Sequence, residues 1–226
     1  MPTRPLLLGH RGARAEKSVP ENTLASFDLA LAQGCDGFEF DVRLSADAQA
    51  VVCHDPKTRR LEIASCSAQK LCLPFLREVL VRYRQKAFLD IELKVPGLEK
   101  ITADLLREFT PARGFVVSSF IPRVIEKMRS LDPRIPLGLI CEAQSQLKHW
   151  RPLPVEYVIL HHNLVQAKSV AEMRSDGRKI FVWTVNHPLA IRRFLRLGLH
   201  GIISDNPNRL VRTARDKIGP RSRLPS

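Results

Sequence analysis

The sequence predicts a (β/α)8 barrel, a single-domain α/β fold in which eight parallel strands alternate with helices. Short apolar, β-branched runs alternate with amphipathic segments along the 226 residues. Most of the runs are apolar throughout, as in strands that are covered on both faces. Charged residues follow the first three strands and an aromatic residue ends the seventh. A barrel would bring these ends to one mouth, whereas a doubly wound sheet, the alternative, would spread them.

The order of elements follows from hydrophobic periodicity and from helix-start signals. Strands are predicted at residues 5–9, 37–44, 87–93, 115–119, 136–141, 157–161, 179–184 and 201–204. Helices are predicted at residues 22–33, 97–109, 122–131, 165–175, 188–197 and 208–217. Pro122 and Pro188 stand in the first turn of their helices, where a missing amide proton costs no intrahelical bond.

One segment interrupts this alternation. The second strand continues through a polar stretch at 45–49 into another apolar run at 50–53, which ends in His54 and Asp55. The polar stretch is typical of a turn, so we predict a β-excursion that returns His54 to the mouth of the barrel. The domain is expected to span residues 1–216, with a short insertion at about 56–73 and a basic, flexible tail at 217–226.

The chain is strongly basic, with 36 Lys and Arg against 23 Asp and Glu, a net charge of +13. The basic residues are spread along the sequence and are not interleaved with aromatic residues, so no nucleic-acid partner is expected. A solvated surface that steers small anionic substrates is the favoured interpretation. A non-catalytic basic barrel that binds anionic polymers or membranes is the alternative.

No apolar run approaches the length of about 18 residues that a membrane span requires. The N-terminus leads directly into a core strand without a signal-peptide pattern. We therefore expect a cytoplasmic protein without stable membrane insertion. The sequence makes no prediction of the oligomeric state.

Three carboxylates lie within apolar strands: Glu39, Asp41 and Glu92. Residues two apart on a strand point the same way, so Glu39 and Asp41 share a face, as do Glu92 and Lys94. Buried acids are costly unless they are paired or bind a metal. Three carboxylates without a neighbouring His or Cys ligand indicate one hard divalent cation, Mg2+ or Ca2+. Ion pairing with Arg43 or Lys94 is the alternative.

Two histidines directly follow apolar strand runs and precede a charged residue: His10 and His54. Histidine titrates near neutrality and can act as a general acid or base. Arg11, as a bidentate fork, and Lys94, as a point charge, are candidate phosphate-binding residues. Together with the carboxylates, these residues suit the metal-assisted hydrolysis of a phosphate ester.

Three further residues are candidates for binding the substrate. Glu21 either interacts with the dipole at the start of a helix or orients His10 or Arg11. Trp183, near the end of the seventh strand, either walls a leaving-group pocket or belongs to the core. Phe120, after the fourth strand, has the same two interpretations.

Several segments together resemble the glycerophosphodiester phosphodiesterase family, in the family's order and over nearly the whole chain. They are Gly9-His10-Arg11-Gly12, Pro20-Glu21-Asn22-Thr23, Glu39-Phe40-Asp41, His54-Asp55, Glu92-Leu93-Lys94, Val182-Trp183-Thr184-Val185-Asn186 and Ser204-Asp205-Asn206-Pro207. The resemblance implies a (β/α)8 barrel with a divalent cation at its mouth. It also implies hydrolysis of small-molecule glycerophosphodiesters to glycerol 3-phosphate and an alcohol.

The resemblance assigns roles residue by residue. The metal-ligand positions are matched by Glu39, Asp41 and Glu92. The acid/base pair is matched by His10 and His54, and the phosphate-contacting positions by Arg11 and Lys94.

The chain departs from the family's usual pattern in one place. Family members usually carry a small extra domain after the His-Asp pair, and here only residues 56–73 separate Asp55 from the start of the next helix at Pro74. We expect a more open mouth, with the catalytic residues unaffected. A bulkier diester, such as a lysophospholipid cleaved in a lysophospholipase D-type reaction, is therefore the alternative substrate.

Overall fold

Eight parallel strands close on themselves in the computed structural model, which describes residues 4–218. The strands in chain order are Leu6–His10 (β1), Gly37–Leu44 (β2), Ala50–Val52 (β3), Lys57–Thr58 (β4), Leu61–Glu62 (β5), Phe88–Leu93 (β6), Phe115–Ser119 (β7), Leu137–Cys141 (β8), Tyr157–His161 (β9), Lys179–Trp183 (β10) and Gly201–Ser204 (β11). The barrel order is β1-β2-β6-β7-β8-β9-β10-β11, and β11 pairs with β1 in parallel. The predicted fold class is confirmed.

Helices cover the outside of the barrel. They are Leu24–Ala32 (α1), Ala68–Leu71 (α2), Leu76–Tyr83 (α3), Glu99–Glu108 (α4), Pro122–Leu131 (α5), Ala167–Ser175 (α6), Pro188–Arg196 (α7) and Pro207–Ile218 (α8). Short 3-10 helices lie at Ile63–Ser65, Gln144–His149 and His162–Leu164. Within residues 4–218, none of these helices has the length and apolar content that crossing a bilayer would require.

The start of α1 differs from the prediction by two residues. Thr23 caps the helix, because its side-chain oxygen accepts a hydrogen bond from the Ser26 amide at 3.2 Å. Asn22 has a φ of 57°, in the left-handed region, and so does not belong to the helix. At the other end of the chain, α8 runs to Ile218, and residues 219–226 of the predicted tail lie outside the described residues.

The barrel interior is filled by apolar side chains below the mouth. Eight buried residues form this inner cluster: Leu8, Phe88, Val116, Ile140, Tyr157, Ile159, Phe181 and Ile203. On β2 the corresponding inward positions are Glu39 and Asp41, which are two and four residues after Gly37. Strand β6 does the same two and four residues after Phe88, with Asp90 and Glu92, so two adjacent strands contribute carboxylates where most of the others contribute apolar side chains.

The predicted β-excursion is confirmed. Strand β3 pairs antiparallel with β2, with Val52 opposite Val42. The turn between them is held by Ser45, whose hydroxyl donates to Asp47 Oδ1 at 2.6 Å. The return strand ends just before His54. The following segment, 56–73, contains only the β4–β5 hairpin, one 3-10 helix and the four-residue helix α2.

Candidate active site

The loop after β1 has a backbone conformation that fixes two site residues. Arg11 has a φ of 50° and Gly12 a φ of 82°, so both lie in the left-handed region. A Cβ at Gly12 would lie 2.4 Å from Ser26 Oγ, so only glycine fits there. The Arg11 amide donates to Glu39 Oε2 at 3.0 Å, and its carbonyl accepts from the Asn22 amide at 3.1 Å. Tertiary contacts on both sides thus hold the strained residue.

His10 is buried and held by a carboxylate from the far end of the chain. Its Nδ1 lies 2.6 Å from Asp205 Oδ1. The pKa of Asp205 is about 2: burial raises it, but hydrogen bonding and charge from His10, followed by Asn186 and Arg14, outweigh that effect. An ionised carboxylate can only accept, so Nδ1 carries a proton. Nε2 then faces the other carboxylates, 3.7 Å from Glu39 Oε2.

The side chain of Arg11 is also fixed by acidic partners. Its Nη1 donates to Glu21 Oε1 at 2.7 Å, and its Nε lies 3.2 Å from Asp41 Oδ2. Glu21 receives a second donor, Arg14 Nε, also at 2.7 Å. Of the two sequence interpretations of Glu21, the structure therefore shows the contact to an arginine, and the contact is to Arg11 rather than to His10.

Glu39, Asp41 and Glu92 meet where β2 and β6 run side by side. Asp41 pairs in register with Glu92, and one oxygen from each of the three carboxylates lies within 4.8 Å of the others. All three side chains are buried, and each has one oxygen that accepts no hydrogen bond. Buried oxygens that accept no hydrogen bond fit a hard cation, so the residues present can hold one.

The neighbouring ammonium group only partly compensates the carboxylates. Lys94 Nζ lies 2.7 Å from Glu92 Oε1 and 3.3 Å from Asp41 Oδ1, as ion pairs without hydrogen-bond geometry. Asn22 donates to the other oxygen of Asp41 at 2.8 Å. The sequence alternative to a metal site was ion pairing of the acids with Arg43 or Lys94, and the pairing with Lys94 is present. Arg43 instead donates to the His54 carbonyl at 2.7 Å.

The ionisation of the three acids differs because their surroundings differ. Burial, followed by repulsion from Asp41, raises the pKa of Glu39 well above its ordinary value. Burial and the same repulsion raise the pKa of Glu92 to about 7, against the opposing effect of Lys94. Burial also acts to raise the pKa of Asp41, but Lys94, Arg11 and Asn22 outweigh it and hold the pKa below its usual value. The raised pKa values of Glu39 and Glu92 favour their protonated forms, and a cation that binds there would displace those protons.

His54 reaches the site from the end of the excursion. Its Nδ1 lies 2.8 Å from Asp55 Oδ1, an exposed carboxylate. Burial lowers the pKa of His54, although Asp41 and Asp55 act in the opposite direction. The lowered pKa favours the neutral imidazole, and when Nδ1 donates to Asp55 it is Nε2 that can accept a proton.

Most of the predicted site residues line one cavity of about 370 Å³, whereas Asp41 and Glu21 lie behind its lining. Its charged side is formed by His10, Arg11, Glu39, His54, Glu92 and Lys94. Its other side includes Phe120 and Trp183, whose rings meet edge to face with centroids 5.8 Å apart. Lys94 Nζ lies 5.7 Å from the Phe120 ring centroid. Both aromatic residues therefore wall the cavity rather than lying wholly within the core.

The chain matches the model of the glycerophosphoryl diester phosphodiesterase family over residues 10–105 and 92–209. The glycerophosphodiester phosphodiesterase of Caldanaerobacter subterraneus is 29% identical, over 93% of this chain and 98% of the relative. A Mycobacterium tuberculosis relative is 43% identical, over 91% of this chain and 90% of the relative. The chain belongs to the glycerophosphoryl diester phosphodiesterase family.

Solved structures of similar proteins share the barrel. An Oleispira antarctica phosphodiesterase, in complex with the product sn-glycerol-3-phosphate, matches with a TM-score of 0.83 and 25% identity, covering 93% of this chain and 97% of that chain. A glycerophosphodiester phosphodiesterase from Thermotoga maritima has a TM-score of 0.81 at 24% identity, covering 93% and 98%. The family membership that the sequence motifs predict is confirmed.

Sequence reasoning assigned no role to several polar residues of the site. Asp205 holds His10, and Asn186 Nδ2 donates to Asp205 Oδ2 at 2.6 Å. Asn22 binds Asp41, and Asp90 and Glu142 line the cavity. The available signal for Asp205 was its position directly after the eighth barrel strand, where catalytic residues of such barrels concentrate.

Proposed function

We propose that this family member hydrolyses glycerophosphodiesters to glycerol 3-phosphate and an alcohol, with one Mg2+ or Ca2+ held by Glu39, Asp41 and Glu92. One observation carries the proposal: each of these three buried carboxylates has an oxygen that accepts no hydrogen bond, and Arg11, His10 and His54 line the adjoining cavity. Oxygen ligands alone suit a hard cation. When bound, the cation would neutralise charge that develops on the phosphoryl oxygens.

The two cationic side chains would bind the phosphate. Arg11 is held rigid by Glu21 and Asp41, so its guanidinium loses little freedom when an anion binds. Lys94, which directly follows β6, contributes a point charge next to Glu92. Both lie in the wall of the cavity, where low dielectric strengthens their interaction with the transition state.

The two histidines would transfer the protons. One accepts a proton from the nucleophile, and the other donates a proton to the departing alcohol. The nucleophile is either water or the glycerol hydroxyl next to the phosphate; in the second route a cyclic phosphate forms first and is then hydrolysed. His10 and His54 each present Nε2 with Nδ1 held by a carboxylate, so either can fill either role.

The substrate would be a small molecule, with the aromatic wall of Phe120 and Trp183 on the leaving-group side. A lysophospholipid is the second candidate, and one observation favours it: no residue of segment 56–73 lines the cavity. A mouth without a cover on that side leaves room for an acyl chain.

The test is hydrolysis of a panel of diesters followed by phosphorus NMR of the products. The panel contains glycerophosphocholine, glycerophosphoethanolamine, lysophosphatidylcholine and an artificial aryl diester. The proposal predicts glycerol 3-phosphate and free choline from glycerophosphocholine, only when Mg2+ or Ca2+ is present. Release of phosphocholine would mean that the other ester bond is cleaved, and turnover of lysophosphatidylcholine alone would favour the second candidate.

A further inference from the structure

The acid Asp90 has no part in the chemistry described above. It lies on β6, two residues before Glu92, and pairs in register with Glu39. Its side chain is 1% exposed and lines the same cavity as the two histidines. It is not part of the carboxylate group whose ligand oxygens lie within 4.8 Å of one another. Asp90 thus faces the cavity without belonging to the candidate metal site.

One oxygen of Asp90 is fixed and the other has no partner. Ser118, on the neighbouring strand β7, donates to Asp90 Oδ1 at 2.6 Å. Asp90 Oδ2 is buried and accepts no hydrogen bond. Within residues 4–218, Asp90 also has no ion pair, whereas Asp41 and Glu92 both contact Lys94. Leaving such an oxygen unsatisfied is costly, so its position calls for a ligand that donates a hydrogen bond.

The surroundings of Asp90 indicate what kind of ligand that is. Ile140, Ile159 and Ile203, from the top of the inner cluster, line the same cavity. Outside the metal cluster, these apolar side chains together with the unsatisfied oxygen of Asp90 are complementary to a carbon chain that bears a hydroxyl. The other acid of the cavity outside the metal cluster, Glu142, is exposed, so a cationic head group can meet a carboxylate without reaching Asp90.

We infer that Asp90 Oδ2, oriented by Ser118, accepts a hydrogen bond from the terminal hydroxyl of the substrate's glycerol end. Asp90 and Ser118 form a hydroxyl-binding subsite that selects polyol phosphodiesters. The inference rests on the proposed function and adds a specificity determinant to it. A substrate without that hydroxyl leaves a desolvated oxygen unpaired, which is how sites built around a hydroxyl reject analogues that lack it.

The experiment compares glycerophosphocholine with 2-hydroxypropyl phosphocholine, which lacks only the terminal hydroxyl. The analogue keeps the hydroxyl next to the phosphate ester, so both routes of attack remain possible. We expect wild type to show a kcat/KM roughly 30-fold lower or more for the analogue. In Asp90→Ala this ratio should fall to about threefold or less. Asp90→Asn should retain most of it, because Ser118 Oγ can accept from the amide nitrogen while the amide oxygen accepts from the substrate hydroxyl.

The matched control is Ser119→Ala. Ser119 is the next residue on β7, is equally buried, and donates to the Leu93 carbonyl at 2.8 Å instead of to a side chain in the cavity. The control should keep the wild-type ratio, whereas Ser118→Ala should reduce it. A Ser119→Ala ratio that falls as far as that of Ser118→Ala would overturn the inference, because the effect would then be a general loss of packing.

Three results would contradict the inference in distinguishable ways. Equal kcat/KM values for both substrates in wild type, or an unchanged ratio in Asp90→Ala, would remove the subsite and leave the proposed function intact. A cation affinity reduced more than tenfold in Asp90→Asn, measured by calorimetry, would make Asp90 a metal ligand instead. Absence of any glycerophosphocholine hydrolysis by wild type would refute the proposed function itself.

A binding measurement on the wild-type protein tests the same inference without depending on the folding of any variant. Calorimetry should show that glycerol 3-phosphate binds roughly 30-fold more tightly than propane-1,2-diol 1-phosphate, its analogue without the terminal hydroxyl. Equal affinities would overturn the inference.

Discussion

The pairing of His10 with Asp205 gives one candidate catalytic histidine a fixed tautomer. The carboxylate is largely buried, ionised, and held in turn by Asn186. His54 has a weaker equivalent, since the side chain of Asp55 is 73% exposed. Water can replace an exposed acceptor more easily than a buried one. Loss of the Asp55 carboxylate should therefore lower the activity less than loss of the Asp205 carboxylate.

We predict that Asp205→Asn lowers kcat about 10²-fold, in the range of a lost proton transfer, while KM changes little. An amide at this position can present a donor to His10 and favour the wrong tautomer. Asp55→Asn serves as the comparison and should cost less than about tenfold. Steady-state kinetics on glycerophosphocholine measures both, and equal losses in the two variants would argue against the difference in burial as the cause.

The two histidines should act as one unit. His10→Ala and His54→Ala are each expected to lower kcat by at least about 10²-fold. The double variant should lose much less than the product of the two, because residues that act together are not additive. A variant that raises only KM would instead show that its histidine binds substrate.

Among the elements, segment 56–73 decides how far the cavity is enclosed on its side. Segment 56–73 packs against Val51 as a small separate cluster and contributes nothing to the cavity wall. Enclosure of the leaving group would therefore fall to Phe120, Trp183 and the exposed Glu142. Discrimination among head groups requires polar groups that would be left unpaired by the wrong one.

We therefore expect kcat/KM for glycerophosphocholine and glycerophosphoethanolamine to agree within about tenfold, a difference of about 1.4 kcal/mol. Competition between the two substrates in one reaction measures the ratio directly. A thousandfold preference would mean that other loops, such as the one near His162, close over the head group.

The order of strands and helices could be predicted because it depends on local periodicity, and boundaries differ by no more than about two residues. The excursion was predictable for the same reason: a polar turn between two apolar runs. Asn22 was placed in a helix because its neighbours favour one, but its side chain binds Asp41, 19 residues away. Asp205 is 195 residues from His10, and no local pattern encodes such a contact.

At the scale of the whole molecule, the buried acids make the stability of the metal-free protein depend on pH. Burial raises the pKa of both Asp90 and Glu92 to about 7. In the unfolded chain these groups titrate near 4. Between these values the folded protein binds more protons than the unfolded one, so the free energy of unfolding falls as the pH rises.

We predict that the Tm of the EDTA-treated protein is lower at pH 8 than at pH 6.5. The lowered pKa of His54 acts in the opposite direction below pH 6.5, the pKa of histidine in an unfolded chain, because there the unfolded protein binds more of that proton. Starting the interval at pH 6.5 limits this contribution. The increase in Tm on adding Mg2+ or Ca2+ should be larger at pH 8, because the ligands must be deprotonated. Differential scanning calorimetry checks both, and a metal-free Tm that rises over this interval would contradict the burial argument.

The central claim is that this barrel hydrolyses glycerophosphodiesters with a cation held by its three buried carboxylates. The most direct measurement is glycerol 3-phosphate release from glycerophosphocholine by EDTA-treated protein, before and after Mg2+ or Ca2+ is added. We predict no release in EDTA and restored activity with the cation. Glu39→Gln should show neither activity nor cation-induced stabilisation, while Glu142→Gln keeps the stabilisation. Full activity of the wild type in EDTA would contradict the claim.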